Sequence, residues 1–125
     1  MRISRAHSYV YTVVGAAIAL HAYEQFVKSA DPSFGWLMWS LVPYVLCLFV
    51  LSRSASSIPA ALGVSVALAF DSLAHYEVFI SPKSSTAALA LLFGPLWNML
   101  LFSPLTMLVA WLAVRRRRSS WQNTP

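Results

Sequence analysis

Charge is scarce in this chain: nine Lys and Arg with four Asp and Glu amount to 10% of 125 residues. Soluble domains carry about 25% charged residues, so a water-soluble globule is excluded. Cysteine is scarcer still. Cys47 stands alone, which rules out an internal disulfide and any metal or dithiol motif built on paired cysteines. There is no linker long enough to separate two domains, and no internal repeat. What fills the chain is apolar: 58% hydrophobic residues, 14% aromatic, and a mean hydropathy of +0.64. Disordered segments lack those residues, so disorder is excluded as well.

A helix that crosses a bilayer needs about 20 mostly apolar residues at 1.5 Å each. Four stretches meet that test, at about 8–26, 34–51, 58–80 and 95–114 of the sequence. They predict an all-α integral membrane protein, a single compact bundle of four transmembrane helices spanning residues 1–125. The last apolar stretch, 87–114, is about 42 Å as a helix and exceeds a bilayer core of about 30 Å. Gly94 and Pro95 offer a break in it, and Ser84, Ser85 and Thr86 are N-cap candidates. The prediction is therefore a short interfacial helix at about 85–93, or a proline kink, before the fourth span. Residues 115–125 read as a basic, polar tail.

With four spans, the N-terminus, the second connection and the C-terminus share one side. Arg2, Arg5, Arg53, Arg115, Arg116, Arg117 and Arg118 fall there, against Lys28 and Lys83 opposite. The positive-inside rule then puts both termini in the cytoplasm, and economy of size suggests a bacterial inner membrane. The run Arg115 to Arg118 reads as a topology anchor held by anionic lipid, with no nucleic-acid role. Met1 to Arg5 before an apolar run and Ala17-Ile18-Ala19 also fits a cleaved leader. The run continues past Ala19 at helical spacing, which favours a retained span.

Ionisable residues inside a span cost about 2.5–3.5 kcal/mol on insertion scales, so their grouping carries information. His21 and Glu24 lie about 20 and 24 Å up the first helix; Asp71 and His75 lie about 20 and 26 Å up the third. Each pair is spaced i, i+3 or i, i+4 and shares a face. The series Pro59, Gly63, Ala67, Asp71, His75 steps by four, with Gly63 and Ala67 as a small-xxx-small contact, so Asp71 and His75 are expected to face the interior. Asn98 enters at a similar level, and Glu77 and Lys28 are further supporting candidates. Glu24 has a competing i, i+4 partner in Lys28. Tyr44, mid-span, needs a partner for its hydroxyl.

The leading reading is a non-enzymatic accessory subunit or interaction module, partnered by lipid and by a larger membrane protein or a second copy, with no cofactor. The alternative uses His21, Glu24, Asp71 and His75 as proton carriers or as ligands to a divalent metal, or His21 and His75 as axial ligands of haem b. Catalysis ranks last, because no nucleophile has a base beside it. An optical spectrum with elemental analysis of the purified protein separates these readings. The no-cofactor reading expects neither a Soret band nor stoichiometric metal; either one, lost in His21→Ala/His75→Ala, would make the cluster a cofactor site.

Overall fold

The computed structural model describes residues 5–81 and 89–122. The protein is all-helical over these residues. Helix α1 (Arg5–Tyr23) continues into a π-helical turn (Glu24–Lys28); α2 is Phe34–Arg53; α3 (Ile58–His75) continues into a second π turn (Tyr76–Ile80). Helix α4 (Leu89–Trp97) passes through a third π turn (Asn98–Phe102) into α5 (Ser103–Gln122), so the last rod is continuous. Three stretches are long and apolar enough to cross a membrane: Phe34–Arg53, Ile58–Ile80 and Leu92–Arg117. The α1 rod is as long, but its histidines, tyrosines and arginine leave it less apolar.

Two expectations change. Gly94 and Pro95 do not end a helix: α4 runs through both, and the irregularity falls at 98–102 instead. Pro104 offers a reason, since it has no N–H for the carbonyl four residues back, and a wider turn before it relieves that clash. The arginine run is also helical, because α5 continues to Gln122, with Arg115 lying 5.2 Å from the Trp111 ring. The N-cap expectation at 84–86 and the charges of Arg2 and Lys83 lie outside the described residues, as does the Arg118 side chain.

Helix α3 is the hub, packed against α1, α2 and α5. Its inward stripe of small residues makes that possible: Pro59, Ala60, Gly63, Val64 and Ala67 are all buried. Small side chains let neighbouring backbones approach closely, and between apolar helices close packing supplies the attraction. At Gly63 an added Cβ would sit 2.9 Å from Met107 Cγ and 3.1 Å from Cys47 Sγ. Around it Val10, Ala17, Cys47, Leu51, Ala60, Val64 and Met107 form an apolar core toward the end that carries the 54–57 connection. Cys47 is thus a small filler inside the core, fully buried. The buried acids, histidine and amide gather at the opposite end.

The contact at Gly63 makes it the position least tolerant of bulk. Gly63→Val should destabilise the bundle by about 1–3 kcal/mol through overpacking. A methyl added at Gly15, inside α1, would meet nothing within 4 Å, so Gly15→Ala should stabilise by about 0.5–1 kcal/mol through helix propensity; thermal unfolding in detergent checks both.

Candidate functional site

Four rods contribute to one hydrogen-bonded chain. It begins at His75, half-buried on α3, whose Nδ1 lies 2.8 Å from Glu24 Oε1. Glu24 Oε2 lies 2.9 Å from His21 Nδ1, and His21 Nε2 lies 3.1 Å from Asp71 Oδ2. Tyr44 on α2 donates its hydroxyl to the same Asp71 oxygen at 2.6 Å. Asn98 donates from Nδ2 to Asp71 Oδ1 at 3.3 Å and to the Ala67 carbonyl at 3.2 Å. Ser103 closes the chain by donating to Asn98 Oδ1 at 3.0 Å.

These groups are deep: His21 is 4% exposed, Glu24 3%, Asp71 5% and Asn98 0%. Leaving any of them unpaired there would cost several kcal/mol. The arrangement avoids that cost by aiming every donor at a carboxylate or an amide oxygen. Among the described residues no buried side-chain nitrogen or oxygen lacks a partner. Each ring nitrogen of His21 faces a carboxylate oxygen, so the ring bridges the two acids.

The π turns place several of these side chains. One begins at Glu24, one follows His75 and one begins at Asn98. In a regular α-helix residues five apart point about 140° away from each other. The wider turn closes that angle and brings Ser103 over Asn98, with the Ser103 N–H bonded to the Asn98 carbonyl. Such single wide turns recur at functional sites because they re-aim side chains without breaking the helix.

Beside the chain lies a half-open cavity of about 350 Å³ at the end of the bundle that carries the 29–33 connection. His21, Glu24 and Asp71 line it, with Gln25, Asp31 and Ser40 as polar neighbours and Trp36, Leu92 and Pro95 as apolar ones. His21, Glu24, Asp71, His75 and Asn98, which helical spacing placed near one level, meet in the bundle. Glu77 is not among them; it is exposed on the turn after α3. Lys28 is elsewhere too, 5.7 Å from the Tyr23 ring, while both Glu24 oxygens meet histidines. Tyr44 and Ser103 join the chain unforeseen as to partner. Tyr44 carried a signal, an isolated mid-span hydroxyl, whereas Ser103 carried none.

The arrangement bears on the cofactor readings as well. Among the described residues no three His, Cys, Asp or Glu side chains converge where a metal ion would be held. Both His21 nitrogens already face carboxylates. No protein-family model, curated protein or solved structure matches this chain. The fold and site define an all-helical protein, with three helices able to cross a membrane and a buried acid–histidine chain at one end.

Asp71 should be the most costly member to lose. Asp71→Ala strands His21, Tyr44 and Asn98 together and should destabilise by about 3–5 kcal/mol, whereas Tyr44→Phe removes one hydrogen bond, worth about 1 kcal/mol. Chemical unfolding of each variant in mixed micelles measures the difference.

Proposed function

We propose that this protein is a four-span membrane protein of the bacterial inner membrane, with both termini cytoplasmic. It works as a non-enzymatic binding module whose polar cavity opens on the outer side. The α1 rod is the fourth span in this reading. Its outward side chains include Ile18, Phe26 and Val27, each more than two-fifths exposed, as are Val45, Leu73, Leu105 and Val109 on the other rods. Apolar side chains on the outside of every rod suit contact with lipid.

The observation that carries the binding reading is one-sidedness. The polar chain reaches a half-open cavity at one end and stops at Ser103 and Asn98 at the other. Beyond them Val64, Ala60 and Met107 pack tightly around the Cys47 thiol beside Ser103, and among the described residues no buried acid, histidine or amide continues the chain onward. A relay needs donors and acceptors on both sides of the bilayer. This arrangement favours taking up a ligand from one side over passing it across. The acids and histidines are bonded to one another, and Ser103 donates to an amide rather than to a base, which suits binding better than catalysis.

Accessibility labelling tests topology and cavity together. In a Cys47→Ala background, Ala30→Cys and Ser40→Cys should react in intact spheroplasts with a small membrane-impermeant methanethiosulfonate. Ala55→Cys should react only after permeabilisation, and Val64→Cys in neither case. Reaction of Ala55→Cys alone in intact cells would invert the topology. An inert Ser40→Cys would remove the open cavity.

A further inference from the structure

We propose that the cavity takes a small organic cation with an apolar body: an aryl- or alkylammonium whose nitrogen sits against Glu24 and Asp71 and whose body lies on Trp36, Leu92 and Pro95. This rests on the reading of the cavity as a binding site and adds the class of ligand.

Charge comes first. Among the described side chains lining the cavity, Glu24, Asp71 and Asp31 are acids and His21 is basic. The described lining thus holds three acids against one histidine, an excess of acidic groups at the cavity. Lys28 does not correct this, since it lies over Tyr23. His75 bonds Glu24 without lining the cavity. An excess of acidic groups favours a ligand that brings positive charge, because opposite charges attract more strongly where water is partly excluded.

Acceptor capacity agrees with the charge. An ionised carboxylate has about four lone-pair sites. Glu24 accepts from two ring nitrogens, and Asp71 accepts from His21, Tyr44 and Asn98. Both retain room for a further donor. An ammonium group brings only donors, so it can add to the chain without displacing a member. A ligand carboxylate would meet these same oxygens and be repelled.

Size and wall chemistry favour an organic guest over a bare ion. About 350 Å³ lies in the range of small-molecule pockets. Trp36, Leu89, Leu92, Pro95 and Ala74 form an apolar wall that a metal ion could not use. The absence of three converging ligands among the described residues points the same way. Trp36 at that wall suits a cationic guest, because the indole face attracts positive charge.

The test is isothermal titration of the full chain in neutral-lipid nanodiscs with three probes of matched shape: 2-phenylethylammonium, 2-phenylethanol and 3-phenylpropanoate. The ammonium should bind at least about tenfold more tightly than the alcohol, and the carboxylate should give no saturable heat. Trp36→Leu should weaken ammonium binding by about fivefold. Asp31→Asn, at the exposed rim, should weaken it by about threefold, since a screened surface charge contributes little. Asp71→Asn should abolish it, and the Trp36 and Asp31 variants keep the test decisive if that protein does not fold. Equal affinity for ammonium and alcohol would overturn the cation class, and preference for the carboxylate would do so more strongly. Absence of binding by all three probes, with Ser40→Cys still reactive from outside, would overturn this proposal while leaving the open cavity. Absence of binding with an inert Ser40→Cys would overturn both.

Discussion

Asp71 is the acceptor on which the bundle converges: His21 of α1, Tyr44 of α2 and Asn98 of the last rod all reach its carboxylate. It can occupy that position because α3 is the hub, packed on α1, α2 and α5 through a stripe of small residues below it. The two features depend on each other. Close approach at Gly63 and Ala67 brings the neighbouring rods within hydrogen-bonding distance of Asp71. The bonds to Asp71 in turn fix the rotation of each rod, which close packing of small apolar side chains leaves under-determined.

Polar and apolar material is segregated along the bundle, and this shapes what the protein can do. Toward the 54–57 connection the interior is Val10, Ala17, Cys47, Ala60, Val64 and Met107, with no buried acid or histidine among the described residues. Toward the 29–33 connection the interior is the acid–histidine chain beside its cavity. In a low-dielectric surround each ionic contact is stronger, and each unpaired group is more costly, than in water. The apolar half is therefore held by close packing and the polar half by its hydrogen bonds.

Much of this was legible from periodicity. The pairs His21/Glu24 and Asp71/His75 share faces because their spacing matches the helical turn, and the four-residue stripe on α3 marked its buried side. What periodicity does not encode is which helix stands next to which. Glu24 is an example: Lys28 is its natural partner within one helix, yet the bundle offers it two histidines, one of them 51 residues away. Ser103 is another, since its approach to Asn98 depends on a π turn that follows from packing and from Pro104 rather than from local preference.

The sequence alone determined the helical class, the long apolar segments and the set of ionisable residues near one level, because hydropathy and helical spacing are local properties. The tertiary structure decided that those residues form one chain, that Tyr44 and Ser103 belong to it, that Glu77 and Lys28 do not, and that a cavity opens beside it. Those outcomes depend on the rotation and approach of whole rods. They are set by small residues at Gly63 and Ala67 and by a carboxylate that takes donors from three directions at once.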